Sequence, residues 1–380
     1  MDNIPFNKPF IVGKELFYIA QAVIENRHTA GNGPFTKKCQ TWLEDRLGCP
    51  KALLTHSCTA SLEMAALLAD IGPGDEVILP SFTFVSTANA FVLRGAIPVF
   101  VDIRSDTLNI DERLISSALT SRTKAIVAMH YAGVACAMDE IMAIADQYGL
   151  LVVEDAAQAL LSTYKSRYLG TIGHLGCLSF HETKNIISGQ GGALLINDIR
   201  FQERSEFIWE KGTNRNQFFK GEVDKYTWVD IGSSFLPSEI IGAFLYAQLE
   251  EAEKINGVRN RLFEKYFRLL QPLEKNGSIR LPCVMDNCSC NGHIFFIVTR
   301  SLSERTALIK HLKDKGITAI FHYVPLHSSP AGLRFGRTNG ELTVTNDLSE
   351  RVLRLPMYYE MKDEDVERVC IEIKEFFMKI

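Results

Sequence analysis

The stretch LLVVEDAAQ at residues 150–158 decides the fold class, because an uninterrupted apolar run ends there on acidic and polar side chains. A short strand that is apolar along its whole length is typical of a sheet covered by helices on both faces. Comparable strand candidates, each a short and largely apolar run, lie at residues 77–79, 97–101, 125–129, 177–180 and 193–196. Segments that favour helices separate several of these runs. The pattern predicts an α/β fold in which helices sandwich a mostly parallel sheet.

Helix-forming segments occur at residues 61–69, 86–93, 111–119 and 139–148. The pattern changes after residue 238, where an amphipathic segment at 239–270 predicts a long connecting helix. The elements predicted beyond it are a strand at 294–298, a helix at 304–315, a strand at 317–321 and a helix at 363–379. We therefore expect a large domain over residues 1–238, and a connecting helix with a smaller α+β domain over residues 239–380.

The composition excludes several classes of protein. The chain has 380 residues, of which 46% are hydrophobic and 23% charged, as in ordinary globular proteins. A formal net charge of −4 leaves no basic excess for a phosphate backbone, so we expect no nucleic-acid partner. No run reaches the roughly 18 apolar residues of a membrane span. The first ten residues, MDNIPFNKPF, do not resemble a secretory signal, and we expect a cytoplasmic protein.

The nine cysteines are too sparse for a disulfide scaffold. Cys283, Cys288 and Cys290 lie close together, with His293 nearby. A zinc site would usually need a second CxxC or a pair of histidines at matching spacing. The spacing favours reduced thiols in a loop, and we expect no metal site.

Polar side chains that follow predicted strands are the strongest candidates for function, since open α/β sheets bind ligands beyond the carboxyl ends of their strands. Four such groups stand out: residues 56–61, 80–87, 154–158 and 179–184. The first, HSCTAS, places hydroxyls and free N–H groups at a helix start, which suits either a phosphate or a simple helix cap. The sequence has neither GxxxxGK[ST] nor a GxGxxG after a strand, so a nucleoside triphosphate loop and a dinucleotide fingerprint are both unsupported.

Asp155 and Lys184 have two interpretations each. Asp155 could pair with a protonated pyridine nitrogen, or it could cap the next turn. Lys184 could form a Schiff base through an amine whose pKa burial lowers, or it could be a surface lysine. The phosphate cradle, an aromatic ring at Phe84, Asp155 and Lys184 together supply what pyridoxal 5'-phosphate (PLP) requires from a protein. It is their combination that indicates this cofactor.

These residues resemble those of the DegT/DnrJ/EryC1/StrS family of sugar-nucleotide aminotransferases, which have the fold type I architecture of PLP-dependent transferases. The resemblance covers essentially the whole chain. It rests on GNGPFT at 31–36, SCTASLEMAALL at 57–68, PGDEVILPSFTFVSTANA at 73–90, VVEDAAQ at 152–158, SFHETKN at 179–185 and HYVPLH at 322–327.

The resemblance implies a role for each matching residue. Lys184 would bind the cofactor covalently and carry the proton, and Asp155 would pair with the ring nitrogen. Gln158 would bond to the phenolic oxygen, and Phe84 would stack on the ring. The residues implied to cradle the phosphate are Cys58, Thr59 and Ser179.

The sequence departs from the family pattern in two places. Many members have GYN where this chain has GSS at 232–234, so Ser234 is the candidate to reach the phosphate of a neighbouring subunit. Many also have Glu at the position of Gln190. Candidates for binding the sugar nucleotide are His322, Tyr323 and His327, and the weaker ones Lys225, Tyr226 and Arg215. The family resemblance also implies a homodimer with active sites at its interface.

The particular residues in the segments that carry the resemblance further imply a pair of substrates. L-Glutamate would give its amino group to C4 of dTDP-4-dehydro-6-deoxy-D-glucose, as in the synthesis of a surface polysaccharide such as enterobacterial common antigen. A GDP- or UDP-linked ketosugar is the alternative acceptor, as in the synthesis of GDP-perosamine or UDP-4-amino-arabinose. Two other classes stay open, a non-catalytic regulator on the same fold and a Rossmann-type oxidoreductase, although the latter lacks its glycine fingerprint.

Overall fold

An eight-stranded mixed sheet forms the centre of the computed structural model, which describes residues 3–378. The strands are β1 Lys51–Thr55, β2 Glu76–Pro80, β3 Ile97–Val101, β4 Thr123–Met129, β5 Leu151–Asp155, β6 Thr163–Tyr164, β7 Arg167–Tyr168, β8 Leu175–Ser179, β9 Gly192–Ile196, β10 Cys288–Ser289, β11 Phe296–Val298, β12 Arg337–Thr338 and β13 Val352–Arg354. The α-helices are α1 Glu15–Ala20, α2 Pro34–Leu47, α3 Cys58–Leu68, α4 Val85–Val92, α5 Ile115–Ala118, α6 Met138–Tyr148, α7 Gln202–Trp209, α8 Arg215–Phe219, α9 Glu239–Glu250, α10 Ala252–Lys275, α11 Leu302–Asp314, α12 Pro330–Phe335, α13 Thr343–Arg351 and α14 Asp363–Met378.

The strand order in the central sheet is β1-β9-β8-β5-β4-β2-β3-β12. Neighbouring strands from β8 through β12 run parallel, whereas β9 is antiparallel to both β8 and β1. The predicted mostly parallel sheet is therefore confirmed. Because the parallel strands point the same way, the side chains that follow them gather along one edge of the sheet.

Both faces of the sheet are buried, as the unbroken apolar runs predict. Along β2, Ile78 packs into one hydrophobic cluster while Val77 and Leu79 pack into another on the opposite face. All three side chains are inaccessible to solvent. Successive side chains of a strand point to opposite faces, so an apolar residue at every position is needed to supply both cores.

Three details differ from the sequence predictions. The predicted helix at 239–270 is interrupted at Glu251, because α9 packs against α1 and α2 whereas most buried side chains of α10 join a third cluster. The predicted strand at 317–321 is reduced to two isolated bridges, Ile317 to Ile4 and Ile320 to Arg354. The segment 111–119 forms a 3-10 turn followed by the four-residue α5 rather than one helix.

The third cluster is built mainly from the C-terminal part of the chain, with side chains from α10, α11, β11, β13 and α14. Ile4 joins it from the N-terminal segment. The division into two domains at residue 238 stays a prediction. In the part of the chain from residue 3 to 378, no helix has both the length and the apolar character that crossing a membrane requires.

Candidate active site

A cleft of about 810 Å³ opens at the carboxyl edge of the sheet. One wall comes from the strand ends, where Asp155 closes β5 and Lys184 follows β8. The start of α3 forms the floor with Cys58. Residues of the C-terminal part, including Tyr323 and Arg354, line the opposite wall. The cleft therefore joins polar groups that are far apart in sequence.

Asp155 is held by neutral donors and is 4% exposed. The hydroxyl of Thr87 donates to Oδ2 at 2.7 Å, and the backbone N–H of Ala157 donates to Oδ1 at 3.2 Å. Thr87 is itself hydrogen-bonded to Thr83 at 2.8 Å. Two fixed donors orient the carboxylate in the cleft without neutralising its charge, which suits it to face a cationic ligand group.

Lys184 lies in a turn that other side chains hold in place. Its backbone N–H donates to the carbonyl of His181 at 2.9 Å. The next residue, Asn185, donates to the Oδ1 of Asn256 at 3.0 Å and to the carbonyl of Asn291 at 2.8 Å. Within residues 3–378, no hydrogen bond or ion pair involves Lys184 Nζ.

The amine of Lys184 is suited to act as a nucleophile and a base. Burial lowers its pKa, and repulsion from Arg354 acts in the same direction, while Cys58 and Asp155 oppose the shift. A lowered pKa increases the neutral fraction of an amine, and only the neutral amine has a free lone pair.

The start of α3 forms a cradle for an anion. Ser57 caps the helix by accepting from the N–H of Ala60 at 3.1 Å, and the hydroxyl of Thr59 lies 2.8 Å from that of Ser86. The first N–H groups of a helix have no acceptor inside the helix and attract negative charge. Gly192 contributes by lacking a side chain, since a Cβ there would lie 2.4–2.6 Å from the backbone of Ser57 and Cys58.

An aromatic group forms the wall opposite Asp155. His322 and Tyr323 stack with ring centroids 3.7 Å apart, and the hydroxyl of Tyr131 lies 2.8 Å from His322 Nδ1. Gln158 donates through Nε2 to the hydroxyl of Tyr323 at 2.8 Å. The ring of Phe84 is 54% exposed on the cleft surface. Burial lowers the pKa of His322 well below its usual value, so this ring is neutral at pH 7.

The cleft contains nine of the predicted site residues, and their roles stay predictions. These are Cys58, Thr59, Phe84, Asp155, Gln158, Ser179, Lys184, His322 and Tyr323.

Five other candidates do not line the cleft of their own chain. His327 is bound to Ser81, with Nδ1 2.7 Å from its hydroxyl. Arg215 pairs with Glu210 at 2.8 Å. Ser234 is exposed and bridges to Glu210. The remaining two, on an exposed segment, are Lys225 and Tyr226.

Sequence reasoning missed several cleft residues, among them Arg259, His293 and Arg354. A signal existed for Arg354, because it is the one charged residue in the otherwise apolar VLRLP at 352–356. Arg259 and His293 gave no local signal. Within residues 3–378, no group of three or more His, Cys, Asp or Glu side chains could hold a metal ion, and the cysteines at 283, 288 and 290 are free thiols.

Comparison with known proteins decides the family. The family model of the DegT/DnrJ/EryC1/StrS aminotransferases matches residues 11–374. The chain belongs to this family. One curated relative, the spore coat polysaccharide biosynthesis protein SpsC of Bacillus subtilis, is 30% identical over 377 residues, which cover 98% of this chain and 96% of that protein.

Solved structures of the DegT/DnrJ/EryC1/StrS family share the fold. The aminotransferase TlmJ from Streptoalloteichus hindustanus has a TM-score of 0.90 and 28% identity, covering 99% of each chain. DesV from S. venezuelae, solved with a ketimine intermediate, has the same TM-score and identity and covers each chain fully. The protein is thus a PLP-dependent sugar aminotransferase, and the predicted fold class and cofactor are confirmed.

The cleft residues fit PLP on their own chemistry. Asp155 presents a fixed carboxylate, Lys184 an unpartnered amine, the start of α3 an anion cradle and Phe84 an exposed aromatic face. These are the groups that a pyridine nitrogen, an aldehyde, a phosphate and a ring require.

Proposed function

We propose that this protein transfers the amino group of L-glutamate to C4 of dTDP-4-dehydro-6-deoxy-D-glucose. The products are 2-oxoglutarate and dTDP-4-amino-4,6-dideoxy-D-galactose. The observation that carries the proposed chemistry is the placement of Lys184, an unpartnered amine in the same cleft as the fixed carboxylate of Asp155. A regulator that only binds ligands does not need an amine in that position.

The cleft residues divide the binding of PLP among them. Asp155 would hold the ring nitrogen, Phe84 would cover the ring, Gln158 would bond to the phenolic oxygen, and Cys58 and Thr59 would hold the phosphate together with Ser179. When bound, PLP supplies an electron-accepting ring that stabilises negative charge on the carbon next to the transferred nitrogen.

Lys184 moves the proton in both half-reactions. In the first, Nζ would accept the proton from the α-carbon of glutamate and pass it to the cofactor carbon that holds the nitrogen. In the second, Nζ would take a proton back from that carbon and give it to C4 of the sugar, so the lysine ends each half-reaction in its starting state. The amine can do both because its turn is held by the bonds of Asn185, which keep it within reach of the reacting carbons.

The sugar nucleotide is proposed from the particular residues of the quoted sequence segments and from the relatives. SpsC of Bacillus subtilis is named for polysaccharide biosynthesis. This name supports an acceptor sugar that is later built into a surface polysaccharide. His322 and Tyr323 would face the acceptor in the cleft. The dTDP group is the most specific part of the proposal, and GDP- and UDP-linked ketosugars are the alternatives.

A homodimer is also part of the proposal. The segment around residues 215–234 is exposed, and Trp228 in it is 80% exposed. The four candidates outside the cleft on this segment, which are Arg215, Lys225, Tyr226 and Ser234, would serve the site of a second copy. Mass measurement in solution by light scattering tests this expectation, and a monomer would contradict it.

An absorption spectrum with substrates tests the reaction. We expect the yellow band of bound PLP to bleach with L-glutamate and to return when dTDP-4-dehydro-6-deoxy-D-glucose is added. Recovery with a GDP- or UDP-ketosugar alone would reject the dTDP acceptor but keep the class. Borohydride reduction and peptide mapping should find the pyridoxyl group on Lys184, and its absence there would reject the mechanism.

A further inference from the structure

Arg354 places a guanidinium with unused donors in the cleft. It closes β13, and both Nε and Nη2 donate to the carbonyl of Phe321, at 3.2 and 2.9 Å. The ring of Phe6 packs against the guanidinium, 4.9 Å from its centroid. Two bonds to one carbonyl fix the guanidinium plane, and Nη1 has no hydrogen-bond partner within residues 3–378.

No acidic side chain between residues 3 and 378 neutralises Arg354. Among the described residues it makes no ion pair, and Asp155 is the only acid that lines the cleft. Asp155 already accepts from Thr87 and Ala157. A half-buried guanidinium without an anion is costly, so the site favours a ligand that supplies one.

The second arginine of the cleft makes a useful contrast. Arg259 is 4% exposed and donates to the carbonyls of Gly292, His293 and Met357. Its contacts join segments of the chain. Arg354, in comparison, has N–H donors on the cleft surface that no acceptor within residues 3–378 uses.

The position of Arg354 indicates which anion it takes. The proposed substrates carry negative charge on the carboxylates of the amino donor and on the diphosphate of the sugar nucleotide. The α-carboxylate is attached to the carbon that gives its proton to Lys184, and Arg354 is near enough to Lys184 to lower the pKa of that amine. The diphosphate is attached to C1 of the sugar, across the ring from the reacting C4.

We propose that Arg354 binds the carboxylate on the reacting carbon of the amino donor, and that this contact selects α-amino acids as donors. The proposal rests on the proposed function, since it concerns the first half-reaction of that site. It predicts that the two half-reactions depend on Arg354 to very different degrees. A guanidinium can form a bidentate pair with a carboxylate, a geometry that lysine cannot reproduce.

The test compares Arg354→Gln and Arg354→Lys with Arg351→Gln as the matched control. Arg351 ends α13 three positions earlier and pairs with Asp347 on the surface, outside the cleft. The holoenzyme of each variant is mixed with L-glutamate, with its α-amide isoglutamine, and with L-glutamine, and the first half-reaction is followed by absorbance. The second half-reaction is followed with the ketosugar nucleotide on enzyme that already carries the amino group.

We expect Arg354→Gln to lower the efficiency of the first half-reaction with glutamate about 30-fold, the size of one charged hydrogen-bond pair. Arg354→Lys should recover part of this loss. In the wild type, the first half-reaction with isoglutamine should be about as inefficient as that of Arg354→Gln with glutamate. Combining isoglutamine with Arg354→Gln should lower the efficiency little further. The second half-reaction should change less than about threefold, and Arg351→Gln should resemble the wild type.

A binding measurement gives a readout that needs no turnover. Glutarate, which has carboxylates but no amine, should bind the Arg354→Gln holoenzyme at least about tenfold more weakly in calorimetry. Equal affinity in wild type and variant would overturn the proposal. A loss of efficiency confined to the second half-reaction would also overturn it. So would a variant whose loss disappears with L-glutamine but persists with isoglutamine, because Arg354 would then bind the side-chain carboxylate. Failure of the proposed function is distinct, because the wild type would then transfer nitrogen from no α-amino acid.

Discussion

The two edges of the central sheet treat charge in opposite ways. At the amino edge, Glu76 starts β2 and is fully buried, yet it accepts from Arg122, Arg337 and Thr120. At the carboxyl edge, Lys184 has no partner in the described chain, and Arg354 donates only to a backbone carbonyl. One edge satisfies its ions within the fold, whereas the other leaves them available to ligands.

This difference separates stability from function within one sheet. Removing one partner of a buried ion pair leaves a buried charge without compensation and destabilises the fold. Removing a cation that has no partner has the opposite effect, because the unpaired cation costs free energy until a ligand binds. Such groups are therefore expected at binding sites and not in the structural core.

Lys184→Met should produce the largest effect and sharpen the contrast. We expect transamination to fall by a factor of at least about 10³, because both proton transfers use this amine. The apoprotein should be as stable as the wild type or more stable by about 1 kcal/mol, since a partly buried cation without a partner is removed. Steady-state assays and urea unfolding of the apoprotein measure the two quantities.

Lys310→Ala, which removes a surface lysine paired with Asp314, is the control and should change neither quantity. A clear loss of stability in Lys184→Met would contradict the comparison, because it would show that the amine has a structural partner.

The sheet and the first wall of the site follow from the sequence. Unbroken apolar runs such as LLVV at 150–153 predict strands, and the polar residues directly after them locate Asp155 and Lys184 at one edge. Local patterns suffice there because strand ends and helix starts are properties of neighbouring residues.

The opposite wall does not follow from local pattern. Arg354 and His293 reach the cleft only because a further hydrophobic cluster packs C-terminal segments against the sheet edge, with Phe296 and Val352 in the same cluster as Met129. Strand β1 was also missed, since KALLT pairs with β9 nearly 140 residues later in the chain. Contacts between distant segments depend on the whole fold, and one sequence contains no direct record of them.

Glu76→Gln tests the structural edge. We expect the free energy of unfolding to fall by about 2–3 kcal/mol at pH 7, because bonds to two guanidinium groups weaken. The bonds from Arg337 lower the pKa of Glu76 to about 2. The folded pKa is below the unfolded one, so the contribution is complete above pH 4.5 and is lost as the pH falls toward 2. Denaturant titrations at several pH values measure the difference.

Glu341→Gln, at an exposed position, serves as the control and should show no comparable gap. A difference between Glu76→Gln and wild type that stays constant from pH 7 to 2.5 would mean that shape and not charge makes the contribution.

Gly192→Ala tests the floor of the cleft. Its Cβ would lie 2.4–2.6 Å from the backbone of Ser57 and Cys58, so the start of α3 must shift. We expect a loss of about 1–3 kcal/mol in stability and weaker binding of PLP. Gly257→Ala in α10 has no atom within 4 Å of its Cβ, and it should raise stability by up to about 1 kcal/mol. Unchanged PLP affinity in Gly192→Ala would exclude this helix start as the phosphate cradle.

Thr87→Val should give the smallest effect and sharpen the comparison further, because it changes how a charge at the functional edge is held without removing it. Valine keeps the shape of threonine but cannot donate to Asp155 Oδ2. We expect the dissociation constant of PLP to rise about tenfold, the effect of one hydrogen bond to a charged group. Thr83→Val, one bond further from the carboxylate, should raise it only about twofold to threefold. Fluorescence titration of the apoproteins measures both constants. Equal effects of the two variants would show that Thr87 acts through packing. If the hydrogen bonds from Thr83 through Thr87 to Asp155 hold the carboxylate, loss of the Thr87 hydroxyl must weaken PLP binding more than loss of the Thr83 hydroxyl, because only Thr87 donates to Asp155 directly.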